Sequence, residues 1–322
     1  MGVIDNGGAQ AIKGFNYQKS VIALIAVLHY LDKEQLDIYV ESEDDIVVKT
    51  PKRKTYIQSK GAEQSIATLV RRKDGKDSIL EKSLSSGADG EDNRYKIVTP
   101  RFGSYEKSLL EETADIFTEG AQVFSYLDTA RTSITDKLPD ISERKLLNSR
   151  VAVTSFPAKQ SDALTHIKGV MSNMNIPIDN SYGSAALGEL CLRIDQKSEI
   201  IAKDAIDYEK KKITQHDLRQ IFGHTHKAQF FEDIINALGY PIMKRTELVN
   251  KNATIGAIFG AYIDMAVEEI KKMDDLTDID ERTVIDRVLG AIPFTSDVSS
   301  LDKEAVAVNA LSHVMFEMSQ VC

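Results

Sequence analysis

Residues 1–14 are glycine-rich and read as a flexible entry. Over 17–31, Ile22, Leu24, Ile25, Leu28 and Leu31 recur at the spacing of one helix face. The period then changes. In 36–49, Ile38 and Val40, then Ile46 and Val48, alternate in part with polar neighbours, which predicts a strand rich in β-branched residues. Thr50-Pro51-Lys52-Arg53-Lys54 has the chemistry of a turn, so 55–59 is expected to return as a second, antiparallel strand. Helix is expected over 62–72 and 80–84, a loop over 85–93, and a short strand over 95–99 closed by Pro100. Long helices are expected from 105 to 147, followed by a strand over 151–155. Beyond Pro157 the chain reads as almost wholly helical: 161–174, 184–194, 216–222, 228–238, 254–273, 281–289 and 302–317. No period of 20–50 residues recurs, so a solenoid is not expected. The predicted class is α/β, an α-β-β-α-β core followed by a helical C-terminal region. The expected division is 1–157 and 158–322, the latter serving oligomerisation or partner binding.

Composition sharpens this picture. The 322 residues are 42% hydrophobic, enough for one large core or two ordinary ones. No apolar run approaches the ~20 residues of a membrane-spanning helix. The N-terminus lacks the basic and apolar regions of a secretory signal, and Asn6 stands where a myristoylation motif needs Ser or Thr. Two cysteines make no disulfide framework, and a cytoplasmic setting is the simplest expectation. The net charge is -9, yet 49–76 holds nine cations against two anions. A basic segment in an acidic protein is the footprint of a localised phosphate-binding surface. Lys52, Arg53, Lys54, Arg71, Arg72 and Lys73 are therefore the candidate DNA contacts, the alternative being a solvated loop and helix face.

The chemistry concentrates where acids and cations meet. Residues two apart on a strand share a face, so Gln58 and Lys60 point together. Across the expected hairpin lie Asp44 and Asp45, with Glu41 shortly before. Such a set suits phosphodiester hydrolysis. Mg²⁺ (or Mn²⁺) asks for one or two carboxylates, and Asp45 and Glu41 can supply them, with Gln58 adding a neutral oxygen. The cation lowers the pKa of a bound water, and a nearby lysine orients or deprotonates it, or stabilises the transition state. Asp45, which directly precedes the hydrophobic strand residues Ile46-Val47-Val48, is the first choice for the metal-binding aspartate, and Asp44, pointing to the opposite face, is expected to be structural.

The segments Gly14-Phe15-Asn16-Tyr17-Gln18, Tyr39-Val40-Glu41-Ser42-Glu43-Asp44-Asp45-Ile46 and Tyr56-Ile57-Gln58-Ser59-Lys60 resemble the double-stranded-DNA endonuclease domain of bacterial anti-phage systems. That domain belongs to the PD-(D/E)xK nuclease superfamily. It occurs in CBASS effectors, fused to a nucleotide-sensing SAVED domain, and in effector subunits of Lamassu systems. The resemblance covers roughly the first half of the chain and implies a restriction-endonuclease-like core. Gln18, Glu41, Asp45, Gln58 and Lys60 match its pattern, Gln58 standing where the superfamily usually has an acid. No SAVED domain is apparent in the second half, which suits a Lamassu-type subunit better. The resemblance then implies a double-stranded DNA substrate, self-association into a homo-oligomer and an SMC-like ATPase partner. A silent nuclease fold that only binds DNA or scaffolds a complex, and an RNase using the same residues, stay open as readings.

Three further features carry less. His224-Thr225-His226, with His216, lacks a metal-ligand spacing, and a loop between two helices is expected there. Gly256 and Gly260 would share a helix face and permit close packing, in the core or against a partner. No phosphate-binding glycine loop and no GxSxG motif is present.

Overall fold

A computed structural model describes residues 7–32, 34–88, 92–103, 109–117, 119–174, 176, 182–273, 276 and 278–319. The chain forms two compact units, 1–221 and 222–322. The division expected at 157–158 therefore falls inside the first unit.

Helix α1 (Gly7–His29) is buried continuously from Tyr17 to Leu28. Apolar residues all round such a helix mark a core element rather than a surface one. The expected single strand over 36–49 is two, β1 (Asp37–Val40) and β2 (Ile46–Lys49), paired antiparallel. The acidic run is the reversal between them. Glu41 adopts a φ of 48°, and the turn closes through Glu41 N–H to Asp45 O at 3.0 Å and Ser42 N–H to Asp44 O at 3.1 Å. A left-handed backbone on a residue with a Cβ costs roughly 1–2 kcal/mol, so this turn is held by its surroundings.

Strand β3 (Lys54–Ser59) pairs antiparallel with β2, as expected. The chain then crosses over through α2 (Ile66–Leu69) and α3 (Ile79–Ser85) to β4 (Arg94–Thr99), which runs parallel to β3. The helices expected over 105–147 are partly wrong. Strands β5 (Leu110–Glu112) and β6 (Ala121–Tyr126) precede α4 (Asp128–Lys137) and α5 (Glu143–Leu147). Strand β7 (Ser149–Thr154) follows, parallel to β4.

Two elements of the expected helical part are not apparent from periodicity. After α6 (Gln160–Asn173) and α7 (Tyr182–Ser198) come α8 (Ala205–Lys210) and β8 (Lys212–Thr214). Strand β8 pairs with β1 and completes an eight-stranded sheet of order β5-β6-β7-β4-β3-β2-β1-β8. Helix α1 packs with α6, α7 and β3 on one side of the sheet. On the other side Tyr56, Leu80, Leu84, Tyr95, Ile97, Ile134 and Leu146 share one apolar core.

The remainder is helical: α9 (Gln215–Ala237), α10 (Ile242–Lys271), α11 (Glu281–Ala291) and α12 (Ser300–Ser319). Within 222–322, Ile234, Leu248, Ile263, Ile270, Val288 and Val308 belong to a separate core. The backbone of 224–226 lies inside α9 rather than in a loop, and the side chains of His224, Thr225 and His226 lie outside the described residues. Gly223 lets the Phe316 ring approach α9 closely, because a Cβ there would meet that ring at 3.1 Å. Gly256 and Gly260 do not serve a close core approach, since a Cβ on either would meet nothing within 4 Å. Among the described residues no helix is long and apolar enough to cross a membrane.

Candidate active site

The reversal 41–45 and the end of β3 lie side by side because β2 and β3 are in register. Ile46 stands opposite Ile57, which brings Asp45 to the level of Gln58. Asp45 is fixed at three points. Its Oδ2 accepts the Ser59 N–H at 2.8 Å, and its carbonyl accepts from Glu41 N–H and, at 2.7 Å, from Gln18 Nε2. Gln18 is buried on α1, so the first helix braces the acidic turn through one amide. Lys60 continues β3 by one ladder bond, its N–H donating to Val98 O at 2.8 Å.

Asp44 does not follow the strand alternation. Its Oδ1 accepts the Asp45 N–H at 2.9 Å, and its Oδ2 is buried without a partner. Burial pushes this carboxyl up to about 7; the charges of Asp45 and Glu41 push the same way, while the Asp45 N–H and Lys60 oppose them. Asp44 therefore shares an electrostatic neighbourhood with Lys60, Asp45 and Glu41. Period-two reasoning failed here because 41–45 is a turn, and nothing in Glu41-Ser42 announces one: the left-handed residue is neither Gly nor Asn.

Glu43, within the same acidic run, has a different task. It accepts from Lys54 Nζ at 3.2 Å, Tyr56 OH at 3.0 Å and Tyr208 OH at 2.9 Å. Burial opposes its ionisation, but these donors together hold the carboxyl below its usual value. The tie to Tyr208 on α8 anchors the turn to a segment far along the chain.

The oxygens that remain free point to the chemistry. Gln58 is 8% exposed, and its Oε1 has no hydrogen-bond partner. An orphaned buried amide oxygen costs about 1–3 kcal/mol, as does the orphaned Asp44 Oδ2, unless something electropositive engages it. Among the described residues no three His, Cys, Asp or Glu side chains gather as a protein-only metal cage. The available donors, two or three carboxylates and one amide oxygen, instead fit a hard divalent cation that keeps much of its water. The register sets Asp45 level with Gln58, and Glu41 and Asp44 lie on the same turn as Asp45.

The six candidate DNA contacts fall into two groups. Lys52 and Arg53 precede β3 and Lys54 opens it, six to eight residues before Lys60, which at ~3.3 Å per residue is roughly 20–26 Å away. Lys52 pairs with Glu34, and Lys54 with Glu43. Arg71, Arg72 and Lys73 follow α2, on the crossover that leaves the Lys60 end. The Arg72 guanidinium is held by Glu81, which also caps α3 by accepting the Ser78 N–H at 2.8 Å. Arg71 and Lys73 are exposed and have no ion-pair partner among the described residues.

Residues 6–175 match the family described as Cap4, dsDNA endonuclease domain. The chain is also 35% identical over 249 residues to a Lamassu protein, LmuA, of a Bacillus species, covering 75% of this chain and 76% of that relative. No solved structure matches the chain.

Proposed function

The chain belongs to the family of Cap4 dsDNA endonuclease domains, and from that membership we propose that it is a metal-dependent DNA endonuclease acting as a Lamassu-type effector of anti-phage defence. The observation that carries this reading is the buried Gln58 Oε1, which has no hydrogen-bond partner among the described residues and sits on β3 at the level of Asp45. Asp45, Glu41 and Gln58, with Asp44 adjoining, would hold Mg²⁺ or Mn²⁺. When bound, the cation lowers the pKa of a water and neutralises charge on the scissile phosphate. The chain's own residues do the rest. Ser59 N–H and Gln18 fix the orientation of Asp45. The Lys60 ammonium, near the Asp44 carboxyl, stabilises negative charge developing on the phosphate. Arg71 and Lys73 hold flanking DNA phosphates.

The same proposal extends to control. A DNase free in the cell would cut its own genome, so activity awaits assembly with partner proteins, an SMC-like ATPase among them, in a cytoplasmic homo-oligomer. The helices of 222–322 serve that assembly. The test uses purified protein, plasmid and Mg²⁺, alone and with the products of neighbouring genes. Lys60→Ala should abolish nicking while leaving the melting temperature unchanged. Retained nicking in a clean preparation overturns the assignment, and cleavage confined to an RNA substrate would make the same site an RNase.

A further inference from the structure

The sheet carries a second polar cavity away from the Gln58–Lys60 end. It lies at the other end of the strands from Gln58, where β3, β4 and β7 begin. Val48 and Thr55 line it together with Arg94 and Lys96 of β4 and Arg150 of β7, and its volume is about 460 Å³. Residues 113–116 and the turn cations Lys52 and Arg53 complete the lining. Five cations thus face the same space as two carboxylates, Glu34 and Asp115.

Those carboxylates are already engaged. Lys96 is 1% exposed, and Asp115 meets its Nζ at 2.7 Å, which neutralises that buried charge. Glu34 pairs with Lys52 in solvent. The guanidinium groups keep unused donors. Arg150 Nη1 donates to the carbonyls of Leu147 at 2.7 Å and Ser149 at 2.8 Å, and no carboxylate pairs with it among the described residues. Arg94 donates to Asn148 Oδ1 and meets the exposed Asp92 at 3.3 Å. Arg53 is exposed, and its guanidinium has no ion pair among the described residues. Burial and the neighbouring Arg94 charge hold the Arg150 guanidinium below its ordinary value, a crowding that an anion would relieve.

Register makes this arrangement a built one. Lys96 and Arg150 are partners across the β4–β7 ladder, so the sheet itself places both cations on the cavity floor. Guanidinium forks match the oxygens of a phosphate better than a point charge does. The volume exceeds the needs of an inorganic ion and falls in the range of small-ligand pockets. We propose that this cavity is a second anion site that binds a phosphate ester, gripped by Arg53, Arg94 and Arg150. The ester can come from a free nucleotide or from a DNA backbone that continues along the hairpin beyond the cutting site.

Calorimetric titration in a Lys60→Ala background, where DNA is not consumed, tests this with two probes, ATP and a short duplex. Arg53→Gln and Arg150→Gln are added singly. Loss of one charge-assisted contact should weaken the relevant probe at least about tenfold. ATP binding that falls in both variants identifies the free nucleotide. Unchanged ATP behaviour with weakened duplex binding identifies the DNA backbone. Should Arg150→Gln fail to fold, Arg53→Gln, on an exposed turn, decides alone. The proposal is overturned if Arg53→Gln leaves the affinity for both probes unchanged, or if neither probe binds the parent.

Discussion

Replacing Gln18 with leucine separates positioning from packing. Gln18 is 5% exposed, and its Nε2 donates to the Asp45 carbonyl at 2.7 Å. Leucine has a similar volume, so the cavity left behind is small and its contribution to ΔΔG minor. The Asp45 carbonyl keeps its other donor, Glu41 N–H at 3.0 Å, and is not orphaned. The expected loss is therefore one net hydrogen bond, about 0.5–1.5 kcal/mol. For a domain of this size that lowers the melting temperature by roughly 1–6 °C. Activity should suffer far more. The turn carrying Asp44 and Asp45 is left-handed at Glu41 and braced from α1 by this amide. A displacement of about 1 Å at a reacting group costs on the order of a hundredfold. Single-turnover plasmid nicking, read beside a thermal melt, measures both quantities, and the loss should lie in the rate at saturating DNA. If Gln18→Leu nicks at the parental rate while melting a few degrees lower, Gln18 is a packing residue and the bracing idea is wrong.

Three other expectations follow from particular contacts. Asp44→Asn removes a buried carboxylate oxygen that has no partner, so the metal-free protein should melt higher while nicking is lost; a lower melt would contradict the burial described here. The Arg72 hydrogen bonds hold Glu81 at about 2, below its usual value, so the stability gained over Glu81→Gln should be full at neutral pH and fade as pH falls from about 4.5 towards about 2. Urea midpoints of both proteins at several pH values measure that difference, and a constant gap would refute the linkage. Gly120→Ala combines a φ of 74° with a Cβ 2.7 Å from Leu24 Cδ1, so a loss of about 2–4 kcal/mol in chemical denaturation is expected, and a near-neutral result would mean α1 can shift there.

The chemistry of the site was more legible than its geometry. Thr50-Pro51 announced the turn between β2 and β3, and Gln58-Ser59-Lys60 could be placed on a strand from residue types alone. Glu41 to Asp45 could not be placed, because a five-residue reversal without glycine has the composition of a strand end. Strand alternation accordingly does not apply to Asp44, and the bracing role of Glu43 was missed, since its partner Tyr208 is remote in sequence. Strands β5 and β8 have three residues each, too few to show a period. Helix α9 was split at Gly223 because the Phe316 ring that occupies the glycine's face leaves no mark in local sequence. The boundary was drawn early for the same reason: β8 joins the sheet by pairing with β1, a contact that only the fold reveals.

That pairing sets an order of events on the ribosome. Asp37 waits for Thr214, and the acidic turn waits for Tyr208, while the stretch that matches the nuclease family ends at residue 175. A nascent chain therefore displays the β1–β2 hairpin with one edge open and one anchor missing through much of its synthesis, because such distant partners close late. A fragment trimmed to the family match would keep that immature state permanently, with β1 offering its backbone to any passing strand. For the nuclease proposed above, late closure would delay competence until most of the chain has been made.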